Sequence, residues 1–262
     1  LTALADRNPL QSLQAYADWF QCLADQTETW ANHLLRQLAY ADNCFSRQAQ
    51  RHSLAELPKP LVEAAAYDVE QLFRLYTLNP SDLALWVQTV AKLPQPPITW
   101  DIQDPHPLPF KFQESDWKAE LPHLANHYRQ HGAGIFARHR AFTWQNGGLQ
   151  GIAYPDPIRL DQLTAYDHPR QQLLQNTLAL LKGYPALNVL LYGSRGAGKS
   201  SLVKALLTEF HPQGLRLVEV AKSKLQDLPQ IVDVLRAAPQ KFIIFVDDLS
   251  FEEDDDAFKA LK

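Results

Sequence analysis

The segment GSRGAGKSS, residues 193–201, constrains the fold more than any other part of the chain. Its first eight residues match the pattern G-x-x-x-x-G-K-[ST] in full, between an apolar stretch at 189–192 that predicts a strand and a periodic stretch at 200–210 that predicts a helix. Glycines let successive N–H groups turn toward phosphate oxygens, and a helix N-terminus adds positive charge. We therefore predict a phosphate-binding loop made of Gly193, Ser194, Arg195, Gly196, Ala197, Gly198, Lys199, Ser200 and Ser201.

Such a loop assigns roles to its side chains. Lys199 is expected to reach the β- and γ-phosphates of ATP, the Ser200 hydroxyl to bind Mg²⁺, and Ser201 to contact the α-phosphate. The apolar stretch 242–246 predicts a second strand and ends in Asp247 and Asp248. We expect Asp247 to hold Mg²⁺ through water, as the Walker-B aspartate does.

Asp248 is our candidate for orienting the attacking water, with Lys199 as the second catalytic residue. Most ATPases of this kind have Asp-Glu at these two positions, and aspartate is one methylene shorter than glutamate. Glu252 or Glu253 can therefore take the role instead.

The remaining pattern predicts three segments. Residues 1–93 carry apolar stripes at helical spacing, typical of an all-α domain. Residues 94–157 combine six prolines between 94 and 109 with a helix predicted from 116 to 130, kinked at Pro122, and a glycine-rich break. Residues 158–262 alternate strands and helices, which predicts an α/β fold with a parallel sheet covered on both faces, the P-loop NTPase arrangement.

Composition excludes several classes of function. The net charge is −4 and neither half of the chain is basic, which argues against nucleic-acid binding. No segment is long and apolar enough for a membrane span, and nothing resembles a secretion signal, so we expect a cytoplasmic protein. Cys22 and Cys44 are predicted to be buried, reduced side chains. His123, His127 and His131 share four-residue spacing, but no partner completes a metal site, and a structural or solvated helix face is the preferred interpretation.

The stretch from GIAYPDPIRLDQL through the loop, with GLRLVEV and FIIFVDDLSFEE, resembles the bacterial AAA+ ATPase family catalogued as domain of unknown function 815, over about residues 127–262. The resemblance implies an AAA+ fold and ATP, and within that family the Asp-Asp pair is ordinary. It also implies that the segment before the first strand helps to hold adenine, with Leu160, Leu163 and Tyr166 as candidates; the alternative is that these residues only pack on the sheet.

An AAA+ sheet places a further strand between 189–192 and 242–246, so these two segments are not expected to pair directly. That strand, the arginine finger and the lid are expected beyond Lys262, the AAA+ portion here being truncated, and residues 1–262 alone are expected to bind nucleotide poorly and hydrolyse almost none.

Three functions compete at this point. The first is an ATPase that remodels an unidentified protein partner and works as a homo-oligomer. The second is a slow ATP-dependent switch or loader that recruits a partner through its N-terminal helices. The third is a small-molecule or nucleotide kinase, for which we recognise neither an acceptor site nor a lid.

Overall fold

The structure is a computed structural model that describes residues 8–103, 107–163, 167–194, 196–236 and 238–249. It divides into two compact units, Leu1–His127 and Tyr128–Lys262. The sequence pattern placed boundaries after residues 93 and 157. The proline-rich segment therefore belongs to the first unit, and the segment from 128 to 157 belongs to the second.

The first unit is helical, as its apolar stripes predict. Asn8, Thr29 and Asn79 begin helices, and the side chain of each accepts a backbone N–H of the first turn. None of the helices in the described ranges is long and apolar enough to cross a membrane. The helices are α1 (Pro9–Gln26), α2 (Trp30–Ala39), α3 (Cys44–Ala49), α4 (Lys59–Tyr76), α5 (Pro80–Ala91) and α6 (Leu121–His131), the last of which continues into the second unit.

Two predictions for these helices need correction. The helix expected from residue 116 begins at Leu121, so Pro122 lies in its first turn, where a missing N–H disturbs no helical hydrogen bond, and no kink is needed. Cys22 and Cys44 are both free but exposed rather than buried. Helix α1 buries the face that carries Tyr16 and Leu23, and the helical period turns Cys22 away from it.

The second unit contains a four-stranded sheet in the order β2-β1-β3-β4, with strands β1 (Ala141–Gln145), β2 (Gly148–Ile152), β3 (Leu215–Glu219) and β4 (Lys241–Phe245). Strands β1, β3 and β4 are parallel, whereas β2 pairs antiparallel with β1. The sheet is therefore mixed, and the prediction of a wholly parallel sheet is wrong at this edge. Asn146 and Gly147 connect β1 to β2 with φ of 52° and 74°, the two positive values that a tight hairpin turn requires.

Helices cover both faces of the parallel part. On one face Phe142 and Val218 pack against Ile231 and Leu235 of α10 (Leu228–Leu235), beside the short helix α7 (Ile135–Arg138). On the other face Ala141 and Leu217 pack against α9 (Lys199–Phe210), whose Leu206 and Phe210 also contact α8 (Asp167–Leu181). The second unit is thus α/β, with α9 leading directly away from the phosphate loop.

The predicted strand at 189–192 does not form. Leu190 and Tyr192 are 70% and 89% exposed, and only Leu191 packs against the sheet, near Ile243. A strand needs a hydrogen-bonded neighbour, and no strand of the described residues pairs with this segment. Just before the segment, the side-chain amide of Asn176 donates to the carbonyl of Leu187 and accepts its N–H, both at 2.8 Å.

Candidate nucleotide-binding site

The amino terminus of α9 forms the centre of the site. Gly198 is its N-cap, with φ of 75°, and Gly196 has φ of 79°. A Cβ at either position would meet no atom within 4 Å, so the backbone angle, and not lack of space, calls for glycine. No side chain caps this helix and its first turn holds no acidic residue. Its first N–H groups therefore lack a side-chain acceptor, the property that makes helix N-termini attract anions.

Ser200 brings the loop to the end of β4. Its Oγ donates a hydrogen bond of 2.7 Å to Oδ1 of Asp247, a residue 47 positions further along the chain. The two candidate magnesium ligands predicted from sequence thus lie in direct contact. A hydroxyl and a carboxylate are oxygen donors of the kind that Mg²⁺ prefers, so this pair fits the ion.

Lys199 folds back onto the loop. Its ammonium group donates to the carbonyl oxygens of Gly193 at 3.0 Å and Ser194 at 2.8 Å. These bonds lie at the surface, and a competing phosphate would have to replace both. Lys199 therefore lies in the loop but points at its carbonyl oxygens in this arrangement.

Asp248 follows Asp247 in a left-handed conformation. Its φ is 55°, and its N–H donates to Asp247 Oδ1 at 3.0 Å. Strand β4 ends at Phe245, so the two aspartates are not successive residues of an extended strand. The alternation of side chains that a strand imposes therefore does not apply to them. Glu252 and Glu253 lie outside the described residues.

Lys204 is a residue of this region that the sequence patterns did not reveal. It lies on α9 and bonds Asp156 at 2.6 Å, with Glu219 at 4.0 Å. The hydrogen bond to Asp156 raises the pKa of the Lys204 ammonium, and the charges of Glu219 and Asp247 add to the effect. A cavity of about 140 Å³ lies beside these groups. The only signal in the sequence is that Lys204 lies just over one helical turn beyond Lys199.

Two of the three candidate adenine contacts, Leu160 and Leu163, lie within the described residues. Leu160 begins a short 3₁₀ turn, Leu160–Gln162, that packs against α9. The Arg170 guanidinium stabilises the turn by donating to the carbonyls of Leu160 at 3.4 Å and Leu163 at 3.2 Å. Leu163 is half-buried. Tyr166 and Arg195 lie outside the described residues.

The three spaced histidines do not converge. His127 is buried against Phe110, with ring centres 5.1 Å apart, and His123 bonds Glu120 at 3.3 Å. Within the described ranges, no three histidine, cysteine or acidic side chains are grouped in a way that could hold a metal ion.

Comparison with known proteins gives a match to a family model. A search of curated proteins found no significant similarity, and neither did a search of solved structures. Residues 137–262, slightly less than half of the chain, match the model of a family described as "Protein of unknown function (DUF815)". The matched region contains the sheet, the loop and both aspartates. This match supports the assignment of the carboxyl-terminal part of the chain to the DUF815 family.

Proposed function

We propose that the second unit is an AAA+ type P-loop ATPase that binds ATP with Mg²⁺ and hydrolyses it. The observation that carries the proposal is the 2.7 Å contact between Ser200 and Asp247, formed beside a glycine-bounded helix end that no side chain caps. An oxygen pair of this kind next to a helix N-terminus is what a metal-bound triphosphate requires. Support also comes from the parallel strands β3 and β4, whose carboxyl ends lie at this edge.

In this proposal the residues of the loop change partners when ATP binds. The N–H groups at the start of α9 bind phosphate oxygens, and Lys199 leaves the carbonyls of Gly193 and Ser194 for the β- and γ-phosphates. Ser200 and Asp247 would hold Mg²⁺ with the oxygens that now share a hydrogen bond. Bound Mg²⁺ supplies positive charge that offsets the charge developing on the phosphates.

Water activation is assigned to a carboxylate near Asp247. Asp248 is the candidate in the described part of the chain, and its left-handed backbone sets it apart from the preceding strand. Lys199 contributes by holding charge on the transferred phosphoryl group. Glu252 and Glu253 remain the alternatives for orienting the water.

The biological setting follows from the same proposal. AAA+ sites usually lie between subunits, so we expect a homo-oligomer that couples hydrolysis to the remodelling of a protein partner in the cytoplasm. The helical first unit is the candidate for contacting that partner. Leu163 and Tyr166 are the proposed adenine contacts, with Leu163 placed on the segment that packs against α9.

The test is calorimetric titration with ATP, in Mg²⁺ and in EDTA, of the wild-type chain and of Ser200→Ala. We expect Mg²⁺ to raise the wild-type affinity by about tenfold or more, equivalent to about 1.4 kcal/mol, and Ser200→Ala to lose that increase. Ser223→Ala, an exposed serine in the 3₁₀ segment after β3, is the matched control and should behave as wild type. Absence of ATP binding by the wild type, or an undiminished Mg²⁺ effect in Ser200→Ala, would overturn the proposal.

A further inference from the structure

Lys204 lies one helical turn beyond Ser200, the candidate metal ligand on α9. Side chains one turn apart share a face of a helix. That face meets the carboxyl ends of β3 and β4, because Ser200 Oγ bonds Asp247 Oδ1 at 2.7 Å, and the Lys204 ammonium lies 4.0 Å from the carboxylate of Glu219, the last residue of β3. Lys204 therefore lies on the same side of the sheet as Asp247.

Three carboxylates lie around the Lys204 ammonium. Asp156 accepts its hydrogen bond at 2.6 Å, and Glu219 is the second neighbour. The third is Asp247, two residues beyond Phe245, which pairs with Glu219. A rise of about 3.3 Å per residue and a strand spacing of about 4.8 Å place the backbones of Glu219 and Asp247 about 8 Å apart. Lys204 thus offsets one of three negative charges at this edge of the sheet.

The Lys204 charge is fixed in place. Its hydrogen bond to Asp156 raises the pKa of the ammonium group, and the charges of Glu219 and Asp247 add to this effect, so the group is protonated at neutral pH. The side chain is 28% exposed, which leaves it less screened than a lysine at the open surface. A fixed positive charge near a carboxylate weakens the attraction of that carboxylate for another cation, and a divalent ion is affected twice as strongly as a monovalent one.

Lys204 differs in this respect from Lys199. Lys199 belongs to the loop and bonds two of its carbonyl oxygens. Lys204 lies about 7.5 Å farther along the helix axis, at about 1.5 Å per residue, and its ammonium is held by Asp156. It is therefore placed to act on the metal site through its charge, without touching the phosphates.

We propose that Lys204 is a positioning residue whose charge keeps Mg²⁺ off Asp247 until a triphosphate is bound. Because it takes Ser200 and Asp247 as metal ligands, this role of Lys204 rests on the proposed function. In the nucleotide-free protein, the ammonium opposes a metal ion at Asp247. A bound triphosphate brings several negative charges, which outweigh one ammonium, so the metal enters together with the nucleotide.

The test is a titration of the nucleotide-free chain with Mn²⁺, which accepts the same oxygen ligands as Mg²⁺ and loses its free-ion electron paramagnetic resonance signal on binding. At an ionic strength of about 0.01 M, where the screening length is about 30 Å, we expect Lys204→Met to bind Mn²⁺ about fourfold more tightly, from the charge removed about 8 Å away. Lys204→Arg keeps the charge and should bind as wild type. The difference should disappear at about 1 M salt, where the screening length is about 3 Å.

Two controls assign the gain to the metal site. Asp247→Asn measures the Mn²⁺ bound elsewhere on the chain, and adding Lys204→Met to it should give no further tightening, because Lys204 acts through Asp247. Lys182→Met makes the same charge change at an exposed lysine directly after α8 and should bind as wild type. If Lys204→Met fails to fold, as judged by circular dichroism, Lys204→Gln decides, since its amide still donates to Asp156.

The direction of the change separates a charge effect from structural damage, which would weaken metal binding. Unchanged or weaker Mn²⁺ binding in Lys204→Met overturns the proposal. So does equal tightening in Lys204→Arg, in Lys182→Met or in the Asp247→Asn background. Loss of Mn²⁺ in Asp247→Asn together with no change in Lys204→Met would overturn the role of Lys204 and leave the proposed metal site standing. Equal Mn²⁺ binding by wild type and Asp247→Asn would overturn both.

Discussion

Replacing Lys199 with alanine is expected to weaken ATP binding by about 30-fold. The lysine donates two hydrogen bonds to loop carbonyls, those of Gly193 and Ser194, and would exchange them for the β- and γ-phosphates. The variant cannot bind these phosphates through a cation, but it also has no loop bonds to break. The predicted change in affinity includes both the lost phosphate contacts and the loop bonds that no longer have to break.

The magnitude follows from the kinds of bonds exchanged. Two charge-assisted contacts to phosphate, at the low end of their range because the loop is open to solvent, contribute about 3 kcal/mol together. The two exposed loop bonds, at about 0.5 kcal/mol each, offset about 1 kcal/mol of that. The remaining 2 kcal/mol or so corresponds to the expected change in affinity, at about 1.4 kcal/mol for each factor of ten. Folding should be little affected, because both loop bonds are at the surface.

The assay is calorimetric titration of wild type and Lys199→Ala with ATP and Mg²⁺, with circular dichroism to confirm folding. Lys224→Ala is the matched control, because this exposed lysine lies outside the loop. Equal affinity in wild type and Lys199→Ala would refute the reasoning. So would a decrease of the same size in Lys224→Ala.

Three other changes test the site and the fold. Asp247→Asn should reduce Mg²⁺-dependent ATP binding about tenfold, whereas Asp248→Asn should leave ATP binding near wild type; an equal loss of binding in Asp248→Asn would contradict the separate roles of the two aspartates. Gly151→Ala should lower the free energy of unfolding, measured by urea denaturation, by about 1–3 kcal/mol, because the new Cβ would lie 2.2 Å from Cδ2 of His139. Adding His139→Ala to that variant should restore much of the lost stability. An unchanged urea midpoint in Gly151→Ala would contradict this. Folding lowers the pKa of His211 from 6.5 to about 4, so between these pH values the unfolded chain binds a proton that the folded chain does not bind. The free energy of unfolding should therefore decrease by about 1–2 kcal/mol, after solvent screening, as pH drops from 6.5 to 4. His211→Gln should reduce this pH dependence.

Local patterns predicted the helix after the glycine-rich segment and the strand before the two aspartates well. The predicted helix at 200–210 is observed as Lys199–Phe210, and the strand predicted at 242–246 as Lys241–Phe245. The helix and the strand are marked by glycines and by apolar residues at regular spacing within a few positions, and such patterns can be read from the sequence alone. The hairpin at 141–152 had an equally local signal, alternating residues around Asn146-Gly147, and we interpreted its glycines as a break.

The strand predicted at 189–192 was wrong for a different reason. Its apolar composition is correct for a strand, but strand formation depends on a hydrogen-bonded partner, and no strand of the described residues pairs with this segment. Lys204 was missed for the same kind of reason. Asp156 and Glu219, its two partners, are distant in sequence, and no spacing rule joins them.

Consecutive residues were enough to predict a helix N-terminus preceded by glycines at positive φ, because such a feature is built from one short segment. They were also enough to predict that a carboxylate follows an apolar strand. The packing of the sheet was needed to bring Ser200 and Asp247 together at 2.7 Å, and to bury Arg216 among the carbonyls of Phe136, His131 and Leu215. These contacts depend on the pairing order of the strands, which is set by the free energy of the whole assembly and by no local pattern.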